Sequence, residues 1–135
     1  MSNRNIRITA PSDTVISIVT KNGSVKGVLR FSTDFGTRRT ELFRKAQKFV
    51  DSEVVRGCSA RVPLQTGMLQ KSGLLGTLIG SGLVSYIAPY SRAQYKTKPS
   101  RTYDPRRGGQ WFERMKASEG KRILHAAAKI AGGRT

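Results

Sequence analysis

The chain has 135 residues, enough for one domain, and its 25 Lys plus Arg against 8 Asp plus Glu give a formal net charge of +17. One cysteine, Cys58, excludes an internal disulfide and a Cys-rich zinc site, and one histidine, His125, leaves no material for a multi-histidine metal centre or a Ser-His-Asp machine. No apolar run reaches the roughly 18 residues that a membrane helix needs, and the alternating polar start does not read as a signal peptide.

Residues 14–20 are dense in β-branched side chains, and Val25 to Phe31 form a second apolar-rich run. Lys21-Asn22-Gly23-Ser24 lies between them, and Asn-Gly suits the positive φ of a tight turn. The spacing predicts an N-terminal hairpin over about 14–31. Ile6 and Ile8 read as a short additional strand before Pro11.

Ser32, Thr33 and Asp34 offer N-cap oxygens. Leu42, Phe43, Ala46, Phe49, Val50 and Val54 then recur at helical spacing, which predicts a long helix over about 37–56 with Gly57 as its stop. Phe43 and Phe49 are core candidates on that stripe. Arg38, Arg39, Arg44, Lys45, Lys48 and Asp51 fall mainly on the other face, and Asp34, Glu41, Asp51 and Glu53 read as helix-surface charge.

Pro63 and Gly67 end any helical pattern. Residues 74–87 are apolar and glycine-rich, and they predict a second buried hairpin turned at Gly80-Ser81-Gly82. No Lys-Ser/Thr follows those glycines, so they do not form a phosphate cradle. Pro89 to Tyr95 suits a helical turn. Residues 96–109 contain two prolines, two glycines and the basic residues Lys96, Lys98, Arg101, Arg106 and Arg107, a composition that reads as a mobile loop in the free protein. A last helix is predicted over about 114–131, weakened at Gly120 by roughly 1 kcal/mol relative to alanine. The elements in chain order are thus a hairpin, a long helix, a second hairpin and a C-terminal helix.

The acidic residues form no facing pair and His125 has no carboxylate at helical spacing, so the sequence assigns no catalytic, cofactor-binding or metal-binding residue. Arg56 and Arg61 flank Cys58 and are placed to lower its pKa, but no partner base is recognisable. The charge is more informative. Residues 96–135 hold 11 basic and 3 acidic side chains, and no acid occurs from Val54 to Tyr103. Such an excess repels itself unless a polyanion or an acidic partner screens it. Lys96, Lys98, Arg101, Arg106 and Arg107 are candidates to face nucleic acid or a neighbouring protein. Tyr95, Tyr103, Trp111 and Phe112 are candidate anchors for the loop or an interface.

Three segments occur in order: Pro63-x-x-Thr66-Gly67-x-Leu69-x-x-Ser72, Pro89-Tyr90-Ser91-Arg92-Ala93-Gln94-Tyr95, and Arg107-Gly108-Gly109-Gln110-Trp111-Phe112-Glu113-Arg114-Met115-Lys116. Over roughly residues 41–132 the chain resembles the minor capsid proteins of long-tailed bacteriophages, in the neck, head–tail connector or tail-completion class. It departs at Gln65, where members often carry Asp, and at Lys96, where an aromatic commonly follows the Gln-Tyr pair.

The resemblance implies an α+β fold, an antiparallel sheet built from hairpins with one long helix packed on it and a C-terminal helix, and a structural virion protein without a catalytic site. It would be made in the host cytoplasm and assembled as a homo-oligomeric ring at the head–tail junction. Its partners would be neighbouring neck, portal-adaptor or tail-terminator proteins and, without sequence specificity, the genome DNA in the channel. No cofactor and no membrane enter. The alternative from composition is a basic nucleic-acid-binding module, ribosome- or nucleoid-associated, with no virion role.

Overall fold

The structure, a computed structural model, describes residues 6–64, 66–98 and 103–133. Strands β1 (Thr14–Thr20) and β2 (Gly23–Leu29) precede four helices: α1 (Phe35–Ser59), α2 (Met68–Gly76), α3 (Ser91–Tyr95) and α4 (Trp111–Ile130). This is an α+β arrangement with one two-stranded antiparallel sheet.

The β-branched run forms β1 as predicted. Its partner begins two residues earlier than the sequence suggests, because Thr20 pairs with Gly23 and only Lys21 and Asn22 lie in the turn. Gly23 sits at φ 142°, a conformation that L side chains rarely adopt, so the glycine lets the strand start there. The long helix does not pack on this sheet. Every residue of both strands is exposed, and α1 packs instead along α4. Antiparallel helix pairing buries the stripes of both helices, whereas a two-stranded hairpin offers too little apolar area to hold a helix of this length.

The core forms between the C-terminal half of α1 and the start of α4. Cys58, Val62, Leu69, Trp111, Met115 and Ile123 are buried together, flanked by Phe49, Val50, Val54 and Tyr86. Gly57 lies inside α1 rather than ending it. A Cβ there would come within 2.7 Å of Met115 Cγ, so the glycine sets the closeness of the two helices. Phe43 is 40 % exposed and does not join the core. Asp51, expected on the surface, is buried.

Residues 74–87 contain no β-ladder and are not a buried hairpin. Met68–Gly76 is helical, and the chain beyond it folds back without strand pairing. Side chains replace the ladder: the Ser85 N–H donates to Thr77 Oγ1 at 3.1 Å. The helix was hidden because its buried positions, Leu69, Ser72, Gly73 and Gly76, follow the i, i+3, i+4, i+7 pattern largely in small residues. Those glycines admit Tyr86 and the Ser85 backbone against the helix, where a Cβ would collide. Ile6 and Ile8 form no strand. Ile8 lies along α1, its N–H donating to Thr40 Oγ1 at 2.8 Å and its carbonyl accepting from the same hydroxyl at 3.2 Å.

Among the described residues, no helix is long and apolar enough to cross a membrane.

Candidate functional site

The predicted basic loop begins at the end of α3 and leads into α4. Its described part is fastened by hydrogen bonds to the rest of the chain. The Gly108 N–H donates to the Arg61 carbonyl at 2.9 Å, and the Gly109 N–H to the Lys98 carbonyl at 2.8 Å. Arg107 turns inward and donates from Nη1 to the carbonyls of Ser59 and Val62, both at 3.0 Å. Those carbonyls lie at and beyond the end of α1, where the unpaired acceptors and the helix dipole favour a cation. Arg114 adds a second clamp, reaching the carbonyls of Arg106, Gly109, Gly108 and Arg61 at 2.8 to 3.3 Å. Burial, with the nearby Arg61 charge, lowers the pKa of Arg114. Asp104 accepts from the Arg106 N–H at 2.9 Å and lies 3.5 Å from Arg107 Nε, which holds its carboxyl below the ordinary range.

The candidate residues therefore separate by role. Arg107 is committed within the chain. Lys96 and Lys98 are exposed and make no ion pair among the described residues, and the Arg106 side chain is 83 % exposed beside Asp104. Arg101 lies outside the described residues, as does Gln65. Trp111 is buried, with the rings of Tyr95 and Tyr86 edge-on at 4.7 and 5.3 Å. Phe112 points outward with Lys116 Nζ 5.8 Å from its ring centre. Tyr103 is exposed, yet its hydroxyl accepts from the Leu64 N–H at 2.9 Å. Further exposed cations line α1 at Arg38, Arg44, Lys45 and Lys48.

The three motif segments are joints around one tryptophan. Thr66 and Gly67 start α2, Gly67 at φ 79°, and Leu69 enters the core. Ser91 starts α3 with its hydroxyl donating to the Ala88 carbonyl at 2.6 Å. Gln110 takes φ 55° at the start of α4 while its N–H donates to the Tyr95 carbonyl at 2.8 Å. A Cβ at Gly109 would strike the carbonyls of Thr97 and Tyr95.

A second arrangement runs across α1 and α4. Arg56, Glu53, Arg122, Glu119 and Arg61 alternate in sign along the helix pair, with contacts of 2.6, 2.9, 3.1 and 3.0 Å. Hydrogen bonds from Arg56 and Arg122 lower the Glu53 pKa from 4.5 to about 2. Burial opposes ionisation of Glu119, but hydrogen bonds from Arg122 and Arg61 outweigh it and its pKa is also lowered. The i, i+3 pairs were visible in sequence; their pairing across helices was not.

Cys58 is 1 % exposed, and burial pushes its thiol up to about 11 despite the Arg61 charge and a hydrogen bond with Tyr86. The expected lowering by flanking arginines is thus reversed, because helix packing dehydrates the sulfur. His125 lies exposed on α4. Among the described residues, no group of three or more His, Cys, Asp or Glu side chains is placed to hold a metal ion.

The remaining unusual surface is apolar. Twenty large hydrophobic residues are exposed among the described residues, against eight buried hydrophobic ones. Seven lie in the hairpin. Six more, Leu74, Leu75, Leu78, Ile79, Leu83 and Ile87, occupy the folded-back segment after α2 starts. The chain exposes 9920 Å², where a compact monomer of its mass exposes about 7,000 Å².

Comparison with protein-family models, with curated proteins and with solved structures finds no match for this chain.

Proposed function

We propose that the chain is a structural virion protein, a subunit of an oligomeric ring in the neck of a long-tailed bacteriophage, joining the DNA-filled head to the tail. The observation that carries this reading is the surplus of exposed apolar surface on a strongly basic chain. An isolated subunit leaves that surface in water; a ring covers it between neighbours. The three motif segments support the same class, and their residues meet around Trp111 as the joints of one small core.

In this reading the protein has no catalytic role and needs no cofactor. Lys96, Lys98 and Arg106, with the exposed cations of α1, face the genome DNA in the channel or the acidic surfaces of portal-adaptor or tail-terminator neighbours. Contact with phosphates through such side chains is independent of base sequence.

Quantitative mass spectrometry of purified, nuclease-treated phage particles tests the proposal. A single closed ring gives a fixed ratio to the major capsid protein, on the order of six to twelve copies per particle. Absence from particles, with abundance in the infected cell, overturns it. The +17 charge would then belong to a free nucleic-acid-binding module, detectable as tight binding with a steep salt dependence.

A further inference from the structure

We infer that subunits join head to tail, the β1–β2 hairpin of one copy lying on the 74–87 segment of the next. This deepens the ring reading by naming the two surfaces that meet. Residues directly opposite in an antiparallel pair share a face. One face of the hairpin therefore carries Ile16, Ile18, Val25 and Leu29, with Gly27 opposite Ile16 as a gap. The other face mixes Val15, Val19 and Val28 with Ser17, Ser24 and Lys26. A two-stranded hairpin is marginal in water without cover. Here no helix supplies it, since every residue of both strands is exposed.

The surface that fits lies elsewhere on the same chain. The hairpin leads into the Phe35 end of α1. The 77–82 turn is fastened at Asp51, sixteen residues further along, which is about 24 Å of helix. Every hairpin residue is exposed, so the hairpin does not lie on the segment of its own chain, and a contact between the two surfaces joins different copies. Such a heterologous contact repeats and closes into a ring when its rotation allows.

Charge distribution selects a second copy as the occupant. A protein of net charge +17 repels its own kind wherever cations face each other. Residues 73–91 hold no charged side chain, and the two strands together hold one, Lys26. These uncharged surfaces are where two copies approach at least cost. Both surfaces also carry the apolar side chains that a contact needs: seven exposed large hydrophobic residues lie in the hairpin and six in the segment.

Sedimentation of the purified full chain provides the test. Wild-type protein is expected to form oligomers that grow with concentration. The hairpin variant I16E/I18E and the segment variant L75E/L78E are each expected to be monomeric. Their mixture is expected to stop at a dimer, because it holds one intact hairpin and one intact segment per pair. Far-UV circular dichroism of each variant checks that the helices persist. If either variant fails to fold, the pair I18C/L75C in the otherwise native chain replaces the test. Mild oxidation is expected to give a ladder of covalent oligomers, with buried Cys58 silent. A wild-type monomer at up to about 1 mM, a mixture without dimer, or no covalent ladder overturns the contact. A segment variant that still dimerises also overturns it, in favour of hairpin pairing. None of these outcomes alters the copy number in particles, so failure of the contact is distinguishable from failure of the neck reading.

Discussion

The Asp51 carboxylate, buried on α1, accepts a 2.7 Å hydrogen bond from the Gly80 N–H. Its same oxygen, Oδ2, accepts from the Gly82 N–H at 3.0 Å, while Oδ1 accepts from Gln47 at 2.8 Å. One buried side chain thereby holds the turn that displays the apolar 74–87 segment. D51A leaves two amides and a glutamine without their acceptor, and it should cost about 2 to 4 kcal/mol. Denaturant unfolding measures the loss, and hydrogen exchange should show it first at Gly80 and Gly82. A variant with unchanged exchange at those amides would remove this role from Asp51.

Acid should weaken the α1–α4 pairing in a defined window. Glu53 titrates at about 2 when folded, against an ordinary 4.5, so the folded state favours its charged form. The stabilisation is therefore complete above the ordinary value and is lost as pH falls through the folded one. Glu119 shifts in the same direction. E53Q should flatten the acid side of the stability–pH curve relative to wild type, measured as denaturation midpoints at successively lower pH. Parallel curves for the two proteins would exclude the contribution.

Arg107 and the exposed loop cations should behave differently. R107A removes two bonds to carbonyls at the end of α1 and should lower stability by about 1 to 3 kcal/mol. It should leave the salt dependence of DNA binding unchanged. The triple variant K96A/K98A/R106A should do the reverse, keeping stability while reducing the slope of log K against log salt by roughly 2 to 3 units if all three meet phosphates. Fluorescence anisotropy with a labelled duplex at several salt concentrations separates the two.

Cys58 should be nearly inert in the folded protein. With its pKa pushed up to about 11, its thiolate fraction at mildly alkaline pH is roughly 100-fold below that of an ordinary thiol. An aromatic disulfide reagent should report slow modification in buffer and fast modification in denaturant. Fast modification of the folded chain would contradict the packing of Cys58 against Val62 and Trp111.

The hairpin and both long helices were legible in the sequence because each is a sustained local period, although α4 begins at Trp111, three residues before that period suggests, with no side-chain cap to mark its start. The α2 helix was not, because its inner face is built from Ser72, Gly73 and Gly76, which carry no hydrophobic period. Asp51 looked like surface charge because its partners are amides 29 and 31 residues away. The fastening of the loop left no mark for the same reason: Arg107 and Arg114 bind carbonyls, and every residue has one. The sequence narrowed the candidate site to Lys96, Lys98, Arg101, Arg106 and Arg107. It could not separate Arg107, which fastens the loop, from Arg106, which is exposed.

The 25 residues of α1 form a rod about 37 Å long. At one end Thr40 grips Ile8, and Phe31 rests 5.0 Å from Phe35, so both feet of the hairpin stand on the first turns. At the other end Arg107 and Arg114 clamp the loop. A load applied to the hairpin therefore travels down the rod and is shared with α4 through the alternating ion pairs, like force through a braced strut. Inserting a single residue near the middle would lengthen the strut by only about 1.5 Å but turn its ends by about 100° relative to each other. The phasing of the two ends is thus a far tighter geometric constraint than their separation.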